Sequence, residues 1–252
     1  MVELSKLVEY CDELLQTERF RDYAPNGLQI EGERKVSKIV TGVTASKALI
    51  DAAIEAEADV LMVHHGFFWK GESSCITGLK QKRIAAIIKN NISLVAYHLP
   101  LDAHEELGNN ALLGRVLELQ IDGRFGRENG DALAMYGELN QEMNADELAL
   151  HIKNKMGRTP LHLKGASEKI KKIAWCSGAA QGYIEQAYEL GVDAFISGEV
   201  SENTTHFAKE SGVHYFAAGH HATERYGVKA LGDHCANVFN VGHEFIDIDN
   251  PV

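Results

Sequence analysis

Apolar residues recur along the chain in two rhythms. In the opening stretch, MVELSKLVEYCDELLQ, residues Leu4, Leu7, Val8, Cys11, Leu14 and Leu15 fall on one stripe of an amphipathic helix. Three short apolar runs follow, KIVTGV at 38–43, ADVLMV at 58–63 and ISLVAY at 92–97, with the length and β-branched content of strands. Each precedes helix-period sequence, at 46–57, at 79–90 and at about 103–119. This βαβαβα order predicts a parallel sheet with right-handed crossovers.

The second half repeats the order, with KIAWCS at 172–177, VDAFIS at 192–197 and VHYFAAG at 213–219, each again followed by helical sequence. A shift of 134 residues (172 minus 38) aligns Lys38 with Lys172, Ile39 with Ile173, Ala53 with Ala187, Glu55 with Glu189 and Asp59 with Asp193. The expected fold class is therefore α/β: two similar domains from an internal duplication, each a mainly parallel sheet flanked by helices. Between the halves, residues 122–137 read as Gly-rich and turn-like. ALAMYGEL, a helix at about 145–155 and TPLHLK then add a strand-helix-strand piece. The boundary is placed near residue 125, giving domains 1–125 and 126–252, with the closing strand HEFIDI a candidate to return to the first domain's sheet.

Composition narrows the setting. With 252 residues and 45% hydrophobic content the chain can bury a sizeable core, and no like-charge or Pro-rich tract marks a disordered tail. The N-terminus lacks the basic start and long apolar run of a signal peptide, and no segment reaches the roughly 18 apolar residues of a membrane span. The expected setting is cytoplasmic. Cys11, Cys75, Cys176 and Cys235 are scattered without CxxC spacing, so buried, reduced thiols are expected rather than disulfides or a thiolate zinc site. A net charge of −11 and the absence of a dense Lys/Arg block argue against a nucleic-acid surface.

The unusual residues stand where α/β sheets bind ligands, just beyond the carboxyl ends of parallel strands. VLMVHHG puts His64 and His65 after one strand, in a turn shaped by Gly66. YHLPLD puts His98 and Asp102 after the next, and AGHHATE puts His220, His221 and Glu224 after a strand of the second half. His220 and Glu224, four apart at a helix start, share one face, while His221 points elsewhere. Surface decoration does not explain three such clusters at equivalent strand ends. Nitrogen and oxygen donors without thiolate fit zinc, iron, manganese, cobalt or nickel, two ions per chain, with a carboxylate such as Glu224 able to bridge them. Glu199, in SGEVSEN, occupies the place of His65 under the shift; it reads either as a cleft residue or as a helix cap. His98 reads as a proton shuttle, an open-position ligand or a packed imidazole. His104, His151, His162, His206, His214, His234 and His243 read as surface or core residues.

PNGLQIEG at 25–32, VHHGFFWKG at 63–71, AYHLPLDAHEELGNN at 96–110, SGE at 197–199 and AGHHATERYG at 218–227 resemble, over essentially the whole chain, the GTP cyclohydrolase 1 type 2 homologues, or Nif-three-like proteins. The resemblance implies a duplicated α/β fold, a toroidal homohexamer and a di-metal site on His64, His65, Asp102, His220 and Glu224, with Glu224 touching both ions. Leu99 departs from the small polar residue common there, and the large middle insertion of some relatives is missing. The activity expected is that of a metal-dependent hydrolase on a purine nucleotide, with His98 and Glu199 as the catalytic proton carriers. No GxxxxGK[ST] phosphate loop is present; Arg225, Lys70 and helix N-termini near Gly66 and Gly219 are the substitutes. The alternative is a non-enzymatic metal-binding scaffold or metal-delivery protein.

Overall fold

A computed structural model describes residues 1–32, 34–127 and 132–252. The chain divides into two compact units, residues 1–107 with 227–249, and residues 108–226 with 250–252. Unit 1 runs β1 (Val2–Glu3), α1 (Leu4–Leu15), β2 (Gly27–Ile30), β3 (Lys35–Val36), β4 (Lys38–Thr44) and α2 (Lys47–Glu55). It continues with β5 (Val60–His65), α3 (Gly78–Lys89), β6 (Ser93–Ala96) and α4 (Leu99–Ala103). Unit 2 holds α5 (Asn109–Val116), β7 (Leu119–Arg127), β8 (Ala132–Met143), α6 (Ala145–Met156), β9 (Leu161–Leu163) and β10 (Ile170–Cys176). After these come α7 (Ile184–Glu189), β11 (Ala194–Ser197), α8 (Glu202–Ser211) and β12 (His214–Ala217). Helix α9 (His220–Phe239) starts in unit 2 and ends in unit 1, which β13 (Gly242–Phe245) closes.

The protein is thus α/β, with two mixed sheets flanked by helices. In unit 1 the strand order is β13-β4-β5-β6-β2, parallel except for β2. Alternation along each strand feeds two cores. Val60, Met62, Val95 and Tyr97 face α1 and the end of α9, through Leu7, Cys11, Val228, Leu231 and Cys235. Leu61, Val63, Leu94 and Ala96 face α2 and α3, through Leu49, Ile50, Ile84 and Ile87. Burial on both faces is why these strands read as unbroken apolar runs. The N-terminal stripe is borne out, with Leu4, Leu7, Cys11 and Leu15 buried along α1. Ser46 starts α2 by accepting the Leu49 N–H at 3.2 Å.

Unit 2 corrects the expectation of a second mainly parallel sheet. Its order is β7-β8-β10-β11-β12-β9, and only β10-β11-β12 pair in parallel; β7, β8 and β9 join antiparallel. The stretch expected to be turn-like is strand over 122–127 and 132–137, with 128–131 outside the described residues. Its glycines serve close packing: a Cβ on Gly137 would run into the Gln120 backbone, and Gly123 sits at a bulge against the Tyr136 ring. Residue 125, near the expected boundary, lies inside β7, whereas the units divide after Leu107.

The helix expected over about 103–119 is shorter, α5 alone, with the separate α4 ending at Ala103 before it. Between them His104 Nδ1 accepts the N–H groups of Glu106 and Leu107 at 3.2 and 3.0 Å, which diverts the backbone until Gly108 opens α5. Helix α6 carries a full capping box, Asn144 with Glu147, and ends on Gly157 at φ +74°. Of the cysteines, Cys11, Cys176 and Cys235 are buried thiols, but Cys75 is exposed, on the loop before α3. Among the described residues no helix is long and apolar enough to cross a membrane.

Candidate metal centre

In unit 1 the donors gather at the ends of β5 and β6. His64 and His65 are the last two residues of β5 itself rather than of a turn after it, and their rings lie 4.6 Å apart. Gly66 is required by close approach: a Cβ there would meet the Gln29 side chain and the Ala96 Cβ. Gln29 Oε1 also accepts the Phe67 N–H at 2.7 Å, so β2 fixes the chain as it leaves the histidines.

His64 is fully buried, and its Nδ1 lies 2.8 Å from the Tyr97 carbonyl. A carbonyl only accepts, so Nδ1 carries a hydrogen and donates it. The His64 Nε2 is 3.5 Å from Oδ1 of buried Asp102, which α4 presents. His65 Nδ1 contacts Thr44 Oγ1 at 3.2 Å.

His98 joins this group. One donor atom from each of His64, His65 and His98 lies within 4.8 Å of the others. Its Nδ1 is 2.7 Å from Asp22 Oδ1, and its own backbone N–H donates to Asn26 Oδ1 at 2.7 Å. Asp22 Oδ2 in turn accepts from Asn26 Nδ2 and the Leu99 N–H, both at 2.9 Å. Burial pushes the Asp22 carboxyl up, but the hydrogen bond and charge of His98, with Asn26 and Leu99, hold it below the usual carboxylate range. Trp69 packs edge-on to His98 at 5.0 Å and tilted to His65 at 5.8 Å.

In unit 2 the loops after β10, β11 and β12 build the second group. His220 and Glu224, one turn apart on α9, meet at 3.1 Å through Nε2 and Oε2, and Glu224 is buried. His220 Nδ1 is 2.7 Å from Glu199 Oε1. Burial lowers the His220 pKa, but hydrogen bonding and charge from Glu224, then from Glu199, outweigh it and raise it to about 9. Gly178, at φ +67°, closes the cradle, because a Cβ there would overlap Glu224 Oε1. Its N–H donates to Thr223 Oγ1 at 3.0 Å, and its carbonyl accepts the N–H groups of Gly198 and Glu199 at 3.0 and 3.2 Å.

The described residues therefore include His, Asp and Glu clusters that could bind metal ions. The donor chemistry fits: imidazole and carboxylate without thiolate, with the second nitrogen of His64, His98 and His220 tied to an acceptor, as metal-ligating histidines require. Among the described residues no donor group includes His221. Sequence reasoning missed Asp22, Asn26 and Gln29. Two of them stand in PNGLQIEG, a motif legible in the chain but without a role until the fold brought it to the histidines.

Comparison with known proteins agrees. A Pseudomonas aeruginosa protein named GTP cyclohydrolase 1 type 2 homolog is 52% identical over 250 residues, covering 99% of each chain. A Vibrio cholerae protein of that name is 52% identical over 249 residues, 98% of each. The solved structure of protein ybgI, described as of unknown function, superposes with a TM-score of 0.96 at 46% identity over 100% of both chains. TTHA1606 from Thermus thermophilus gives 0.88 at 33% identity, again over 100% of both. Residues 2–251 match the family described as Duf34/NIF3, NGG1p interacting factor 3, and with half-identical relatives over its full length this chain belongs to that family.

Proposed function

We propose that this protein is a dinuclear metal-dependent hydrolase acting on a purine nucleotide, with His64, His65, Asp102, His220 and Glu224 holding two divalent ions and Glu224 reaching both. One observation carries the reading: in each unit a histidine is locked through Nδ1 by an acceptor and turns Nε2 toward a buried carboxylate. A ring nitrogen held by an acceptor, with the other turned toward a carboxylate, is the arrangement that metal-ligating histidines use. When bound, a pair of divalent ions supplies Lewis acidity, activating water and polarising the centre attacked.

The chain's own residues do the rest. Glu199, expected to carry protons, is engaged by His220 and is a positioning residue in this reading. Trp69, half-buried, and Tyr23, exposed, offer ring faces beside His98 on which a flat base can stack. The relatives' name, GTP cyclohydrolase 1 type 2 homolog, supports a purine nucleotide. The missing phosphate loop favours the second reading, a non-enzymatic scaffold or metal-delivery protein.

The same proposal includes an internal duplication. Ile39 pairs with Val60 and Val40 with Leu61; 134 residues on, Ile173 pairs with Ala194 and Ala174 with Phe195. It also includes a toroidal homohexamer, which light scattering tests. The decisive experiment measures metal content of the full chain and turnover of a nucleotide panel, beside His64→Ala and Glu224→Ala. About two ions per chain, lost in both variants together with turnover, support the hydrolase. Two ions without turnover favour delivery, and no bound metal overturns both readings.

A further inference from the structure

Two histidines outside the metal centre, both in unit 2, are tied to each other. His214 lies in β12 and is fully buried, whereas half-buried His162 lies in the edge strand β9, which pairs antiparallel with β12 over only three residues. Their rings stack at 5.3 Å, and the His162 ring also lies flat on Phe216, 4.5 Å away and 7° from parallel. Phe216 belongs to the unit 2 core, so His162 stands between that core and solvent.

The hydrogens of His214 are fixed by its partners. Its Nε2 is 2.9 Å from the Ser167 carbonyl, which only accepts, so Nε2 donates. Its Nδ1 accepts the Gly165 N–H at 3.3 Å and therefore holds a lone pair, into which His162 Nε2 donates at 3.0 Å. One neutral imidazole thus holds both β9 and the 165–167 turn that follows it. A proton on Nδ1 would face two donors and break both bonds at a buried position, where lost bonds are costly. His162 resists charge as well: burial and then His214 lower its pKa from 6.5, with Asp146 at the start of α6 opposing and Lys164 adding. The closed pair is therefore fully stable above pH 6.5 and loses stability as pH falls below it, because the open strand takes up a proton more readily.

We propose that His162 and His214 form an acid-operated latch: a proton gained by the pair releases β9 and the turn after it from β12, leaving the β12 edge unpaired and the Phe216 ring uncovered. The opening is local, because β9 is an edge strand joined to the sheet over three residues and the strands behind it keep their own pairs. An edge shielded at neutral pH is thereby presented in acid.

The test is hydrogen exchange of the full chain, read as protection factors corrected for the intrinsic rate at each pH. Protection over 161–167 is expected to fall by up to about tenfold per pH unit below 6.5, the limit for one proton, while β10 and β11 keep theirs. His214→Gln supplies an acceptor and a donor in place of the two ring nitrogens, and His162→Gln supplies a donor, yet neither titrates. The double variant should therefore hold β9 with protection independent of pH, and circular dichroism verifies that it folds. His162→Phe, which stacks on Phe216 but cannot donate, should show lowered protection already at about pH 7.5. Wild-type protection over 161–167 that is equal at about pH 7.5 and about pH 5.5 overturns the latch, as does a fall that persists in the double variant. A fall shared equally by β10 and β11 is global acid unfolding and overturns it too, and unchanged protection in His162→Phe shows that the ring only packs.

Discussion

The two units solve one structural problem alike and then diverge. In unit 1 Asp59 Oδ2 accepts the N–H groups of Ser37 and Lys38 at 2.7 and 2.9 Å; in unit 2 Asp193 Oδ2 accepts those of Lys171 and Lys172, both at 2.9 Å. Each aspartate locks the start of the strand that carries its sheet. At the opposite strand ends the units part. Unit 1 offers three imidazoles with Asp102, unit 2 one imidazole between two carboxylates. The strand starts are fixed by backbone hydrogen bonds to a shared aspartate, whereas the strand ends carry the donor side chains in which the units differ.

The cores differ too, and the largest expected effect lies there. Trp175, fully buried in unit 2, gives its Nε1 hydrogen to the Asn110 carbonyl at 2.9 Å. Trp175→Ala should cost about 3–5 kcal/mol in chemical denaturation through the cavity it leaves. A smaller loss would mean that unit 2 collapses around the void.

The His220 environment makes the next largest effect, on the metal-free protein. Its folded pKa of about 9 stands above the ordinary 6.5, so the charged imidazole contributes stability that is full below pH 6.5 and lost as pH rises through 9. The loss is on the order of 3 kcal/mol, and His220→Gln should flatten the profile. A profile unchanged by His220→Gln would overturn this reading of the His220 environment. The same proton must leave Nε2 when an ion binds, so metal uptake should strengthen as pH rises toward 9.

The shared aspartate lock is sharpened by a pair of variants. Asp59→Ala and Asp193→Ala should each cost about 2 kcal/mol, since each strands backbone N–H groups at a strand start. Equal losses support a common plan, and a tenfold disparity in the unfolding constants breaks it. The smallest effect is expected at Tyr97, fully buried, whose hydroxyl donates to Asp12 Oδ1 at 2.9 Å. Tyr97→Phe should cost about 1 kcal/mol and leave metal binding unchanged, because His64 uses only the Tyr97 carbonyl.

Much of this was legible beforehand. β4, β5, β6, β10, β11 and β12 all fall on apolar runs read from the chain, because burial on both faces writes an unmistakable local pattern. The long hairpin of β7 and β8 was not, since its glycines, needed where strands crowd one another, carry the same letter as glycines of a turn. The break between α4 and α5 was hidden as well, because His104 acts there through a side-chain bond that leaves no periodicity.

The chain by itself determined which donors stand near which strand ends, since His64 and His65 close one apolar strand and His98, Asp102, His220 and Glu224 stand in the segments that follow two others. Only the tertiary structure decided how each imidazole is held. Asp22 reaches His98 across 76 residues, the Tyr97 carbonyl meets His64 across 33 and Glu199 meets His220 across 21. Such bonds join loops that are distant in sequence, and hydrogen-bond geometry between distant loops has no local signature until the sheets have formed and brought their ends together.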